Sequence, residues 1–507
     1  MFSFNLKNKE VLDSLRSPAV YKFNMAQNLA LLSNDPSTIR NFYQIQMPKY
    51  YKDTWLAMEG KDKFMAQYLP GQAFTYFGII PMIVQGKVNL VASSGFNCKS
   101  DNKEIDDILN QIKEDADLQR KFIDGVYWES GIGDVLYRIS YDKSLCNHPI
   151  IDVIEPQYFE VKYSHGMPKA YIIKKVSETN PAVELHEIHS KNEAGFYCID
   201  YVFYEDGEKV KADDEALIKK CLADMEMEKM PQNKVLPFTD MMVVYKQNST
   251  NNSKIYKGQR GVPDIQGLAS IEDALSESIS DLIDAIRKGG IKEYVDEDMI
   301  PQDERGNDLR LNHFNKTIII TKGSTTPGTG ENKWQVTQGK INWESYIRPI
   351  QTLMSTAINK AGLSPTTIGL TGLESINSSQ ESQDAREKPS MRTRAVCLDA
   401  WGKTLKELFN KYLQVQDYIN GLSIIDYKDL INITFNEYTN PTLENVTNIL
   451  VQQVGAGLKS KITAIKELND GISEEQALNE YELIQAENQN MGALQPYVEG
   501  EIKWLTN

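Results

Sequence analysis

The residues whose side chains could do chemistry are scattered through this chain, and no set of them has a recognised catalytic or metal-binding spacing. His186 and His189 are three positions apart in a β-prone segment, so on a strand their side chains would face opposite sides. The sequence offers no neighbouring His or Cys cluster that could complete a zinc site. We interpret both as half-exposed strand histidines, and we expect no catalytic residue and no bound metal.

A glycine-rich segment at residues 323–330 begins like a loop that binds nucleotide phosphates. Thr329 and Gly330, however, occupy the positions where such a loop has Lys and then Ser or Thr. The segment also lacks the third glycine and the following helix of a dinucleotide site. We therefore expect no cofactor. We interpret the abundant pairs of Asp and Glu as solvated faces of an acidic protein rather than as general acids and bases.

Composition gives the broad class of protein. The chain has 507 residues, 41% of them hydrophobic and 25% charged, as in ordinary globular proteins, and it is long enough for several domains. Its five cysteines include no CxxC pair, which predicts reduced, structural thiols. No apolar run reaches the roughly 18 residues of a membrane span, and residues 1–10 lack the apolar core of a signal peptide. We expect a protein that is used in a cytosol.

The formal net charge of -15 argues against a protein that grips nucleic acid by neutralising phosphates, because that mode of binding needs clustered Lys and Arg. The charge is compatible with a surface that DNA slides past without adhering. An acidic excess also promotes solubility, so the net charge by itself favours neither interpretation.

Two amphipathic segments around a polar insert dominate the pattern of the chain. In the first, residues 264–288, Asp264 is placed as an N-cap ahead of a narrow apolar stripe. In the second, residues 342–361, an apolar face begins at Trp343, and Pro349 predicts a kink or a late start. Two thin stripes joined by an insert predict an antiparallel pair of struts that carries a small domain at its far end. The first stripe consists of Ile265, Leu268, Ile271, Leu275, Ile279, Leu282 and Ile286.

The remaining segments predict an α+β protein with an antiparallel sheet. Residues 248–254, rich in Asn, Ser and Thr, are interpreted as a linker. Helical patterns occupy residues 11–32, 102–129, 380–418 (with Pro389 as a kink), 443–456, 460–468 and 473–489. The last of these starts with a capping-box pattern, Ser473 followed by Gln476. The β-prone runs are 77–83, 87–92, 134–141, 150–154, 158–163, 169–176, 184–189, 196–204, 240–245, 317–321, 334–337 and 431–435.

The order of these segments resembles that of the portal proteins of tailed bacteriophages, in particular those of the siphophage type. The likeness is carried by an α+β amino-terminal region containing Val153-Ile-Glu-Pro156, by the strut–insert–strut unit, and by a Ser/Thr-rich loop that enters a kinked long helix. In the tail, Ile433-Thr-Phe-Asn-Glu-Tyr-Thr-Asn-Pro441 leads through a helix to Val454-Gly-Ala-Gly-Leu-Lys-Ser-Lys-Ile-Thr-Ala464. The tail is more basic than the family pattern at Lys459 and Lys461.

The resemblance implies a portal fold of class α+β, with an α+β wing, a two-helix stem, a small α/β clip, a long kinked wing helix and a helical crown. The boundaries that it implies are 1–260 and 363–436 for the wing, 261–290 and 341–362 for the two stem helices, 291–340 for the clip and 437–507 for the crown.

The resemblance also implies a homo-oligomeric ring, twelve-fold in the assembled particle, at one capsid vertex of a virion assembled in the host cytoplasm. Double-stranded DNA would pass through its channel during packaging and ejection. The protein partners would be the terminase large subunit, the head-tail connector or adaptor, and the major capsid and scaffolding proteins. No membrane and no enzymatic activity are implied.

Three groups of residues acquire expected roles. Acids of the first strut would line the channel and repel DNA, or else form an ordinary outward-facing solvated surface: Glu272, Glu277, Asp281 and Asp284. Cations of the insert would dock partners: Arg305, Arg310, Lys316, Lys322 and Lys333. A tunnel loop facing DNA, or alternatively a disordered surface connector, would consist of Thr371, Gly372, Leu373, Glu374, Ser375, Ile376, Asn377, Ser378, Ser379 and Gln380.

Two other classes of protein remain open from the sequence. One is a different structural protein of the virion, such as a capsid or tail adaptor protein. The other is a nucleotide-using or DNA-modifying enzyme with a helical hairpin insert.

Overall fold

The chain divides into two compact units, Met1–Asn436 and Glu437–Asn507. The computed structural model describes residues 18–46, 75–211, 214–251, 256, 259–289, 292–296, 318–321, 335–337, 339, 342–370, 380–438, 443–469 and 473–493. Within these ranges the first unit combines helices with largely antiparallel sheets, so the chain is α+β as the sequence predicts. The second unit is helical where it is described.

The helices described in the first unit range from ten to forty residues. They are α1 (Pro18–Leu32), α2 (Pro36–Gln46), α3 (Ile79–Ala92), α4 (Lys103–Asp115), α5 (Leu118–Gly131), α6 (Glu215–Asp224), α7 (Ala269–Gly289), α8 (Trp343–Lys360) and α9 (Gln380–Ile419).

The strands form four sheets. They are β1 (Phe96–Lys99), β2 (Asp134–Ser140), β3 (Ile150–Ile154), β4 (Phe159–Ser164), β5 (Met167–Val176), β6 (Val183–Lys191), β7 (Tyr197–Glu205), β8 (Glu208–Lys209), β9 (Lys234–Leu236), β10 (Val243–Gln247), β11 (Lys292–Asp296), β12 (Ile318–Thr321), β13 (Gln335–Thr337) and β14 (Asn432–Phe435). The sheet orders are β10-β2-β3, β4-β5-β6-β7-β8 with β9 also on β7, β1-β14, and β12-β11-β13, in which β11 runs parallel to β12.

The long helix α9 lies at the centre of the main core. Trp401, Phe409 and Tyr412 on this helix are buried, and the Trp401 ring lies 5.1 Å from that of Phe122 on α5. Phe96 of β1 packs edge-on against Phe122. These buried side chains form the apolar face of α9, within the segment whose helical pattern was predicted, and the helix continues through Pro389.

The apolar stretch from Phe77 to Ala92 corrects one expectation. Two β-prone runs were expected there, but residues 79–92 form the single helix α3. Most of its residues are buried, and an apolar run of that length without alternation fits a buried helix as well as it fits strands. Pro81 lies in the first turn, where its missing N–H removes no helical hydrogen bond.

Other differences are smaller. The predicted helix at 102–129 is two helices, α4 and α5, with Asp117 in a left-handed conformation (φ 46°) between them. Helix α6 and the pairing of β1 with β14 were not anticipated. Asp206 and Gly207 both have positive φ and form the hairpin turn that joins β7 to β8, the kind of turn that an Asp-Gly pair favours.

The second unit contains α10 (Leu443–Gly455), α11 (Lys461–Leu468) and α12 (Glu474–Ala493). The predicted capping box of α12 is confirmed: the Gln476 N–H donates to the Ser473 hydroxyl at 3.2 Å, and the Ser473 N–H donates to the Gln476 side chain at 2.8 Å. Ser460 caps α11 by accepting from the Thr463 N–H at 3.1 Å.

Candidate functional site: a helical pair and its buried anchor

Helices α7 and α8 form an antiparallel pair, as the sequence predicts. At one end, the Lys360 ammonium near the close of α8 donates to the Gly267 carbonyl just before α7. At the other end, a Cβ on Gly339, four residues before α8 begins, would lie 3.3 Å from the Gly289 Cα. The pair is about 27 to 32 Å long at ~1.5 Å per residue. Strands β11, β12 and β13 lie between the two helices in the chain and form their own small sheet.

Burial along this pair falls from one end to the other. At the base, defined by the start of α7 and the end of α8, Leu268, Leu275 and Ile358 are completely buried. At the far end, Ile286 is 54% exposed and Trp343 is 60% exposed. Of the predicted apolar stripes, the base halves are therefore packed within the chain and the far ends are uncovered. Helix α8 begins at Trp343, so Pro349 causes no late start.

Glu272 has a role different from the one expected. It was a candidate for the channel wall, but its side chain is fully buried. Its carboxylate accepts hydrogen bonds from the N–H groups of Gly78 at 2.9 Å and Ile80 at 3.1 Å, at the start of α3. A carboxylate at a helix N-terminus satisfies donors that have no partner in the helix and favours its dipole. Glu272 therefore ties α7 to α3 and cannot face a channel.

Two serines extend this contact along α7. The Phe77 N–H donates to the Ser276 hydroxyl at 3.2 Å, and the Thr75 N–H donates to the Ser280 hydroxyl at 2.9 Å. Glu272, Ser276 and Ser280 are spaced by four residues, so they form one polar line on a buried helix face. This polar line was not predicted from the sequence. An acid and two serines at intervals of four beside an apolar stripe are the signal that could have identified it.

The other three acids lie on the opposite side of α7. Glu277 and Asp281 are exposed and Asp284 is half-buried, and their spacing of four and three residues places them on one face. That face points away from the one that buries Glu272 and Leu275. These three remain candidates for a surface that faces DNA.

A buried cluster of polar side chains around Asp264 holds the segment that precedes α7 in place. Asp264 is not the expected N-cap, because α7 begins at Ala269. Instead its carboxylate pairs with the Lys87 ammonium of α3 and accepts from the Asn248 side-chain amide at 2.9 Å and from the Thr250 hydroxyl at 2.6 Å. Ser130 adds a hydroxyl donor at 2.9 Å. Burial opposes the charged form of Lys87, but the charge of Asp264 raises the Lys87 pKa overall.

This cluster also corrects the linker that was expected at 248–254. Asn248 is buried, and its amide donates to the Val262 carbonyl at 2.8 Å as well as to Asp264. The described part of the segment, residues 248–251, is therefore a buried to half-buried connection to the base of the helical pair.

Two further buried ion pairs lie near the Lys87–Asp264 pair, which we call the anchor. Lys246 lies 2.9 Å from the Glu129 carboxylate, which also accepts from the Trp401 indole. The Arg260 guanidinium donates twice to Asp134, at 2.6 and 2.9 Å, and lies 4.4 Å from the ring centres of Tyr21 and Phe159. In the pairs Lys87–Asp264, Lys246–Glu129 and Arg260–Asp134, few polar atoms lack a hydrogen-bond partner. Buried charges are tolerated when their polar atoms are paired in this way.

The predicted strand histidines are buried, not half-exposed. His186 stacks on Tyr204 at 4.0 Å, and the Nδ1 of His189 contacts the Tyr197 hydroxyl. Both residues lie on β6, whose neighbour β7 supplies these tyrosines. Burial lowers the pKa of His186, against the opposing effect of Glu184. The five cysteines are free thiols, and four of them are buried.

Several candidate residues lie outside the described residues. They are the five clip cations Arg305, Arg310, Lys316, Lys322 and Lys333, and the tunnel-loop residues 371–379; Gln380 is the first residue of α9. Within the described ranges, no group of three or more His, Cys, Asp or Glu side chains could hold a metal ion. No helix of those same ranges is both long and apolar enough to cross a membrane.

No protein family model and no curated protein matches this chain. Among solved structures, it is similar to a chain from the virion of a native gene transfer agent particle, with a TM-score of 0.38 and 11% identity, covering 80% of this chain and 93% of that one. It is also similar to a chain from the neck of a native gene transfer agent particle computed with C12 symmetry, with a TM-score of 0.41 and 11% identity, covering 82% and 94%. At these TM-scores and this identity, the similarity establishes no function for this chain.

Proposed function

We propose that this chain is a structural protein of a phage-like virion, and specifically a portal subunit that assembles into a ring around a DNA channel. The observation that carries the proposal is the uneven burial of the α7–α8 pair. Its base is packed and anchored by buried ion pairs, whereas Ile286 and Trp343 at the far end are open to solvent. Apolar side chains uncovered at one end of a fixed helical pair favour packing against other copies, which a closed ring supplies.

The acidic face of α7 supports the channel role. Glu277, Asp281 and Asp284 lie opposite the buried face, so in a ring this side of the helix would be the one that faces a passing duplex. A net charge of -15 per chain gives roughly -180 for a ring of twelve, which would repel phosphates and keep DNA from adhering. Glu272 plays no part in this surface.

The remaining roles rest on the family resemblance. Residues 291–340 would dock the terminase large subunit and later the head-tail connector, because mixed charge suits reversible exchange of partners. The loop 371–380 would touch DNA without gripping it, since Glu374 is its only charged residue. The ring would sit at a capsid vertex, in contact with capsid and scaffolding proteins, and it would hydrolyse nothing.

Ring formation has a direct test in light scattering and negative-stain electron microscopy. We expect wild-type protein to give ring particles with a central hole. Ile286→Asp should shift the mass toward the monomer, whereas Leu422→Asp, which changes a comparably exposed side chain (61%) in the turn after α9, should not. A substitution at Leu275, on the same apolar stripe, would not test ring formation, because Leu275 is buried within the chain and its loss would disturb the fold itself. Monomers at high concentration would refute the ring, and sheets or shells would favour a capsid protein instead.

The DNA contact has a separate test in a packaging assay. Glu374→Lys should slow translocation and make it more sensitive to salt, because it adds an attractive charge in every subunit. Glu208→Lys, at the exposed start of β8, is the matched control. Equal packaging rates for the two variants at all salt concentrations would show that the loop does not face DNA. Deleting residues 323–330 should leave rings intact and abolish packaging.

A further inference from the structure

The second unit contains an apolar groove that its three described helices do not fill. Helix α11 packs against both α10 and α12, and a cavity of about 660 Å³ opens between those two helices. Its walls are mainly apolar: Leu450, Val451 and Val454 from α10, Ile465 and Leu468 from α11, and Tyr481 and Ile484 from α12.

The described helices of the second unit bury few apolar side chains by themselves. Among its described residues, Leu450 and Ala477 are the buried apolar side chains. A unit of about seventy residues ordinarily depends on a shared apolar core for its stability. Three helices around an open groove therefore lack one packing element.

We propose that the groove is filled by residues 494–507 of the same chain. Apolar residues recur there at intervals of three and four, at Leu494, Tyr497 or Val498, Ile502 and Leu505, which is the pattern of an amphipathic helix. Pro496 follows α12 closely, and a proline cannot continue a helix without breaking it. In the proposed docking, the chain changes direction at this proline.

The length of this segment matches the part of α12 that follows Ile484. Ile484 lies about 14 Å before the end of α12 at ~1.5 Å per residue. A helix that starts at Pro496 and runs back along α12 covers the same ~14 Å by Leu505. Leu505 is thereby placed level with Ile484, and a segment tethered this closely has an effective concentration on the order of millimolar.

The charges of the groove and of residues 494–507 are also complementary. Lys461 is the one charged residue among the described residues that line the groove. On a helix, Glu501 falls within the apolar face of the segment, three residues after Val498 and four before Leu505. A carboxylate in that position would pair with Lys461 at the rim of the groove.

Disulfide trapping in the full-length chain tests this docking. In a Cys146→Ser background, Ile484→Cys combined with Leu505→Cys should form an intrachain disulfide on mild oxidation. Leu483→Cys with Leu505→Cys is the matched control, since Leu483 neighbours Ile484 but is 61% exposed and does not line the groove. We expect at least fivefold more intrachain product from the first pair. Interchain product from that pair would mean that a second copy fills the groove, and equal yields would mean that the segment is not docked. Either result overturns the proposal.

A charge exchange provides the second readout. Lys461→Glu should reduce the trapping yield at least threefold, and Lys461→Glu with Glu501→Lys should restore it. Failure of the exchange to restore the yield would show that these two residues do not meet.

Discussion

Replacing Glu272 by Ala should destabilise the first unit strongly, although the other acids of the same helix are exposed or half-buried. The substitution leaves the N–H groups of Gly78 and Ile80 without an acceptor at a buried helix start. Each buried donor without a partner costs about 1 to 3 kcal/mol. The loss of an N-terminal cap by itself typically costs about 1 kcal/mol. We expect the free energy of unfolding to fall by about 3 to 4 kcal/mol.

Urea unfolding followed by tryptophan fluorescence measures this effect, because Trp401 is buried in the same unit. Glu277→Ala is the matched control, with the same substitution five residues along on the exposed face of α7. Its effect should stay within about 0.5 kcal/mol. If the two variants differ by less than that, the Glu272 carboxylate does not cap α3 and the reasoning is wrong.

The pH dependence gives an independent check on Glu272. Burial raises the pKa of its carboxyl, and the N–H donors at residues 78–80 oppose that rise. The folded protein therefore binds this proton more tightly than the unfolded chain does. The associated stability is complete below the unfolded-state pKa of about 4.3 and is lost as the pH rises through the folded-state pKa. Glu272→Gln cannot ionise, so the stability difference should shift in favour of Gln as the pH rises above about 4.3 and through the raised folded-state pKa of Glu272. A constant difference would contradict the raised pKa.

Three further predictions concern the anchor, the second unit and the thiols. Lys87→Met or Asp264→Leu alone should each cost about 3 to 5 kcal/mol, and the double variant should cost clearly less than their sum; additive effects in urea unfolding would argue against the buried pair. Ser473→Ala should cost about 1 kcal/mol locally and speed amide exchange in the first turn of α12, with Gln485→Ala as a control that leaves that turn unchanged. Native protein should react with a thiol reagent first at the half-buried Cys146, because the other four cysteines are buried and burial raises the pKa of Cys98 to about 12 and of Cys397 to about 11; fast reaction of several thiols would be inconsistent with the fold.

The sequence by itself determined the features that depend on neighbours along the chain. The capping box at Ser473 and the hairpin turn at Asp206 follow from local rules, since the groups that satisfy one another lie within four residues. Most strands and the apolar face of α9 could also be inferred from the sequence, because the spacing of apolar residues along the chain reveals them without knowledge of the residues they pack against.

Only the tertiary structure decided which polar side chains are buried and what they bind. Glu272 resembles the other acids of α7 in sequence, but its partners at residues 78–80 lie about 190 positions earlier in the chain. The sequence around Asp264 is that of an N-cap, and the run of Asn and Ser at 248 is that of a linker. Neither pattern shows that the fold places Lys87 and Asn248 against the Asp264 carboxylate. A residue pattern specifies which face of an element is apolar, whereas the cost of burying a charge is offset only by partners that the completed fold supplies.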